Sequence, residues 1–214
     1  MRFLSVSILV AIVLLAPVSG QQAGELFRPE ELGLLEGPDR ADWQQPDEVM
    51  DHMGISDGAH VADIGAGGGW FTVRLARRVG TNGVVYAEDI QSLMIETIKR
   101  RVAREGLANV KTILGTPADP KLPSGLDAVL MVDTYTQLAD AERSSLLQRI
   151  GAALKPDGRL GIVDFKRDGE GGPGPPLNQR ISPDVVKTQA AAAGLKLRNH
   201  ETFLRYQYLL IFVK

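Results

Sequence analysis

Val61-Ala62-Asp63-Ile64-Gly65-Ala66-Gly67-Gly68-Gly69-Trp70 passes from an apolar run through an acidic residue and four glycines into a segment of helical spacing. A strand that ends in glycines and leads into a helix lets the backbone turn sharply and brings its amide groups close to a ligand. Turns of this kind serve dinucleotides when three glycines are spaced G-x-G-x-x-G, the third allowing close helix–strand packing. Counted from Gly65, the third position is Trp70, and counted from Gly67 it is Thr72. Both registers fail, which weighs against NAD or FAD as the ligand.

The pattern on either side repeats the strand–helix unit. Residues 70–79 place Val73, Ala76 and Val79 at helical spacing before Gly80. Residues 83–87 read as a second strand, and 92–105 as a helix with Met94, Ile98 and Val102 facing inward, ended by Gly106. Residues 110–114 form a third strand. Residues 126–132 form a fourth, apolar on both faces as a central parallel strand should be. Asp140 is expected to cap a helix running to Leu154, followed by a Lys155-Pro156-Asp157-Gly158 turn and a fifth strand over 160–163. Ser182-Pro183 starts another helix, stopped by Gly194, and 195–202 and 206–213 are closing strands. Upstream, Pro46-Asp47 opens a short helix with Val49, Met50 and Met53 on one side, and residues 21–45 read as a leader packing loosely on the domain. Repeated strand–helix units imply an α/β fold, a mostly parallel sheet with helices on both faces. The last two strands lack a helix between them, so one is expected to be antiparallel. The Gly/Pro-rich stretch 167–180 follows the fifth strand at the carboxyl edge, a place suited to a substrate lid.

Asp63, Gly65, Gly67 and Gly69 match in order the acidic residue and G-x-G-x-G of class I S-adenosylmethionine-dependent methyltransferases, and the segment resembles that family's first motif. Val85-Tyr86-Ala87-Glu88-Asp89-Ile90, at the end of the next strand, resembles the second. A carboxylate about 20 residues beyond the glycine turn can accept both ribose hydroxyls. The resemblance gives Asp89 that task, with Glu88 as the adjacent alternative, and lays Ile90 against the adenine. Strand alternation sends the Glu88 side chain the opposite way from Asp89, away from the site. Thr116 of Gly115-Thr116-Pro117 stands where family members often carry an acid that helps hold the adenine. Leu154-Lys155-Pro156-Asp157-Gly158-Arg159-Leu160 is similar to the family's L-K-P-G-G-R-L turn, with Asp157 replacing one glycine. The resemblance runs from about residue 42 to 214. It implies a Rossmann-like, doubly wound, seven-stranded sheet with an antiparallel C-terminal strand, S-adenosyl-L-methionine as cofactor, and a domain over 46–214.

The sulfonium of that cofactor activates its own methyl group, so the protein's main task is to hold a nucleophile in line with it. A base is needed only where the acceptor must lose a proton. Asp133 and Tyr135, at the end of the fourth strand, are the candidates, with Asp164 a weaker one. Thr136 stands where related sequences are expected to carry a histidine. Trp43 reads as core packing. A non-catalytic binding module keeping the same cofactor cleft is the alternative function.

Composition limits the other classes. The net charge is −2 and no long basic run appears, which gives no footing for nucleic-acid binding and leaves a small-molecule acceptor as the expected partner. There are no cysteines, and His52, His60 and His200 form no i, i+4 pair, so no metal site is expected. Met1-Arg2, an apolar run over 3–18 and the small residues Val18-Ser19-Gly20 read as a signal peptide or membrane anchor over 1–20. That places the chain outside the cytoplasm, with membrane contact only through this segment.

Overall fold

Leu126–Val132 (β4), buried on both faces, is the strand around which the sheet is built. The computed structural model describes residues 33, 36–168 and 172–214. In it β4 lies between β1 (His60–Ile64) and β5 (Leu154–Phe165), parallel to both. Beyond β1 come β2 (Val84–Asp89) and β3 (Val110–Leu114), and beyond β5 come β7 (Gln207–Val213) and β6 (Lys196–Glu201). The order β3-β2-β1-β4-β5-β7-β6 makes a seven-stranded sheet in which β7 runs antiparallel to both its neighbours. This is the Rossmann-like topology expected from the sequence. The expected signal segment over 1–20 lies outside the described residues.

Helices cover both faces because successive strand residues alternate between them. Ala62, Ile64, Val129, Met131, Leu160 and Ile162 face one core with α5 (Asp140–Ala153) and α6 (Pro183–Ala192). Val61, Val85, Ala128, Leu130 and Val163 face the other, against α2 (Pro46–His52) and α3 (Trp70–Val79). A smaller cluster of Ala87, Ile95, Ile98 and Val102 seats α4 (Ser92–Arg104). From β1 the chain builds outward to β2 and β3, then returns to place β4 on the other side of β1. The two directions leave a crevice at the carboxyl ends of β1 and β4, where ligands bind in such sheets.

Four local expectations change. Arg40–Gln44 (α1) is a short helix whose Arg40 and Gln44 are buried, so the end of the supposed loose leader is built into the domain. Asp140 is the first residue of α5 and Ala139 holds the cap position, its amide donating to Glu142 Oε2 at 3.0 Å. Residues 155–158 form the irregularity between the pairs Leu126–Leu154 and Ala128–Arg159, so the expected turn is an excursion within β5. In the loop after β5, Arg180 donates to the carbonyls of Lys166, Pro173 and Pro175. That part of the expected lid is pinned to the domain and does not line the pocket described below.

Leu130 is fully buried in β4 and Leu197 is 43% exposed on the edge strand β6. Leu130→Ala should cost about 2–5 kcal/mol in denaturant unfolding, and Leu197→Ala less than about 0.5 kcal/mol. Equal losses would contradict the core assignment.

Candidate active site

Gly65, Gly67 and Gly69 take left-handed backbone conformations, at φ 67°, 55° and 83°. A side chain at Gly65 would also collide with that of Thr134. Gly69 caps α3, packed against Ile98, and does not reach the pocket. The turn they form is held from β2: the Gly67 amide donates to Asp89 Oδ2 and the Gln91 amide to Asp89 Oδ1, each at 2.9 Å. Burial raises the Asp89 pKa, and these backbone donors oppose the rise. A carboxylate has about four lone-pair sites, so two amides leave capacity for ligand hydroxyls.

A cavity of about 260 Å³ opens in the β1/β4 crevice. Asp63, Gly65, Gly67, Asp89, Ile90, Thr116 and Asp133 all line it, which brings together most of the residues singled out from sequence. Asp63 is 2% exposed and accepts from Thr72 Oγ1 on α3 at 2.6 Å. Burial nevertheless pushes its carboxyl up to about 6. Thr116 reaches the wall, but its hydroxyl is turned to the backbone of Asp119.

Asp133 stands at the end of β4 with φ 58°, a strained conformation for a residue with a side chain. Its Oδ2 accepts from Gln44 Nε2 at 3.1 Å and lies 3.6 Å from the Arg40 guanidinium; its Oδ1 accepts from Gln207 Nε2. Burial pushes the carboxyl up to about 7, with Arg40 opposing and Asp164 reinforcing the shift. A base of this pKa is half ionised near neutral pH.

Tyr135 is elsewhere. The 3₁₀ turn Tyr135–Gln137 swings its ring into the core, fully buried, where the hydroxyl donates to Gln189 Oε1 at 2.8 Å. It does not line the cavity, and burial raises its pKa, so the phenol is not placed to act as a base there. Asp164 is likewise occupied: its Oδ2 accepts from the Thr136 amide and hydroxyl at 3.0 and 2.8 Å, holding that turn.

Sequence reasoning missed Glu36, Arg40 and the part Gln44 plays at Asp133, and it turned Glu88 away from the site. Arg40 lies over the Trp70 ring at 4.3 Å, and Glu36 makes a two-point ion pair with Arg101. Together they carry the segment before the domain across one wall of the cavity. Glu88 does point opposite to Asp89 in strand alternation, yet it is 2% exposed and lines the same cavity. Trp43 packs against Phe165 and Tyr206, the structural role expected of it.

Residues 61–158 match a methyltransferase-domain family. A 2-phytyl-1,4-naphtoquinone methyltransferase from Trichormus variabilis is 33% identical over 116 residues, 53% of this chain and 50% of that protein. A ubiquinone/menaquinone biosynthesis C-methyltransferase from Marinomonas sp. is 27% identical over 136 residues, 63% of this chain and 53% of that protein. The chain thus spans about half the length of these relatives. A SAM-dependent methyltransferase from Aquifex aeolicus superposes with a TM-score of 0.81 at 27% identity, covering 87% of this chain and 98% of that one.

The raised Asp133 pKa has a measurable sign. An unfolded aspartate near 3.8 is ionised at pH 5 while the folded group, near 7, is still protonated. Asp133 therefore stabilises the fold at low pH, and this contribution is lost as pH rises from about 4 to 7. Asp133→Asn cannot ionise. Thermal unfolding should show the substitution more costly at pH 5 than at pH 8, and a pH-independent cost would refute the assignment.

Proposed function

We propose that the chain is a class I S-adenosylmethionine-dependent methyltransferase, a reading its methyltransferase-domain match and its fold support, and that it transfers a methyl group from S-adenosyl-L-methionine to a small aromatic acceptor. One observation carries the cofactor reading: the Gly67 amide, in the turn that leaves β1, is bound to Asp89 at the end of β2, beside the β1/β4 crevice. The left-handed glycines keep side chains out of the space beside that pair, and Asp89 retains lone pairs for a ribose. The family fit therefore rests on the cradle as well as on the motif.

The bound cofactor supplies an electrophilic methyl group. What the chain supplies is position and a place for a proton. Asp63 and the glycine turn form one end of the cavity wall, and Ile90 and Met94 give it an apolar side. Asp133, at the end of the strand beside β1, is the group able to take a proton from an acceptor hydroxyl near neutral pH. Gln44, Gln207 and Arg40 hold it. Leu138 and Leu146 add apolar surface, which suits a flat, weakly polar acceptor. The named activities of the relatives, on naphthoquinone and ubiquinone or menaquinone precursors, support a quinol as first choice. The sequence at residues 1–20 supports an exported or outward-facing anchored protein.

Calorimetry should detect S-adenosylhomocysteine binding, and Asp89→Ala should weaken it about ten- to hundredfold. Mass spectrometry should find a naphthoquinol gaining one methyl group. Asp133→Asn should lower kcat while leaving the cofactor KM nearly unchanged. Binding without transfer to any of a panel of quinols and phenols would instead favour the non-catalytic module. For export, fusion to a reporter active only outside the cytoplasm should give activity that is lost when residues 1–20 are removed; activity independent of them would overturn that reading.

A further inference from the structure

Glu88 is a buried carboxyl with half of its hydrogen-bonding unmet. It is 2% exposed and lines the cavity. Its Oε2 accepts from the Gly65 amide at 3.4 Å, while Oε1 has no partner among the described residues. Oε1 lies against Gly115, where a Cβ would collide with it, so the glycine that follows β3 makes room for this carboxyl. It therefore stands at the foot of the Gly115-Thr116-Pro117 turn, whose last two residues line the same cavity as Ile90.

That turn brings no carboxylate of its own. Thr116 Oγ1 is engaged with the Asp119 backbone, and Asp119 Oδ1 accepts from the Lys121 amide. Glu88 reaches the same part of the cavity from β2. Burial pushes it up to about 8, the Gly65 amide opposing, with Asp89 and Asp63 adding to the shift and Lys121 opposing it. A buried acceptor lacking a donor is costly, and a ligand that brings an N–H removes that cost.

We propose that Glu88 reads the base of the bound nucleoside, Oε1 accepting a hydrogen bond from the exocyclic amine of adenine. This rests on the cofactor reading above. The two carboxyl oxygens then meet two donors, the Gly65 amide and the amine. The amine favours the ionised carboxylate, against which a 6-oxo purine presents a second acceptor and is disfavoured. The protonated acid can donate to that oxygen, so the preference for adenine grows as pH rises through about 8.

The test is calorimetric titration of the purified full chain with S-adenosylhomocysteine and S-inosylhomocysteine. Wild type should favour the adenosyl ligand by about tenfold or more, the scale of one hydrogen bond to a charged or buried group. Glu88→Ala should weaken the adenosyl ligand about tenfold and the inosyl ligand less than about threefold, so that the preference collapses. In Glu88→Gln the amide oxygen serves Gly65 and the NH2 faces the base, so the preference should turn toward the inosyl ligand. Should Glu88→Ala fail to fold in thermal unfolding, Glu88→Gln decides. A wild-type preference retained in the variants that fold overturns the proposal. Wild type binding both ligands equally overturns it while leaving the cofactor reading intact; wild type binding neither overturns both.

Discussion

The bond from the Gly67 amide to the Asp89 carboxylate joins the end of β2 to the turn that leaves β1, and the rest of the site depends on that junction. With the turn fixed, Gly69 can cap α3 at the height that lets Thr72 reach back to Asp63. With α3 fixed, Trp70 presents the ring on which Arg40 lies, and Arg40 and Gln44 come within reach of Asp133. The chain of contacts starts in strand pairing that two apolar faces already enforce. A ligand therefore meets a cradle that the core has organised in advance, which lowers the ordering cost of binding.

Charge in the cavity is one-sided. Asp63, Glu88, Asp89 and Asp133 all line it, and among the described residues Arg40 is the basic one in its wall. Burial raises the pKa of each of the four carboxyls, because none has enough opposite charge or donors to offset its desolvation. A ligand carrying a fixed positive charge on sulfur and an amino group is electrostatically matched to such a wall. Once it has given up its methyl group, the product is a neutral thioether and loses part of that match. The wall thereby favours substrate over product.

The sheet was legible because its signals are redundant: apolar strands at regular spacing, helices between them, and glycine stops. The cofactor end of the site was legible for the same reason, since Asp63, Gly65, Gly67 and Asp89 hang on two strand ends. Tyr135 was not, because one short 3₁₀ turn decides whether the third residue past a strand faces cavity or core, and spacing says nothing about that turn. Glu88 was misjudged because period-two alternation gives the face of a residue and not its depth; the cavity wraps around the strand end and meets both faces. Arg40 and Gln44 look like solvent-facing polar residues in sequence. The helix of five residues that carries them is too short to show a periodicity. Their burial follows from a partner, Asp133, 89 residues away from Gln44.

Asp133 also sets fold and chemistry against each other. Its backbone lies in the left-handed region at φ 58°. There a side chain costs about 1 kcal/mol relative to glycine, although aspartate tolerates it better than most residues. Glycine would relax the main chain and spare the molecule a buried acid, but it would remove the acceptor that the Gln44 and Gln207 amides share. Selection on folding alone has a route to a quieter protein at this position, and the proton transfer proposed for Asp133 would close it. In this reading the end of β4 is where the domain holds less stability than its architecture would permit, and the difference is held as reactivity.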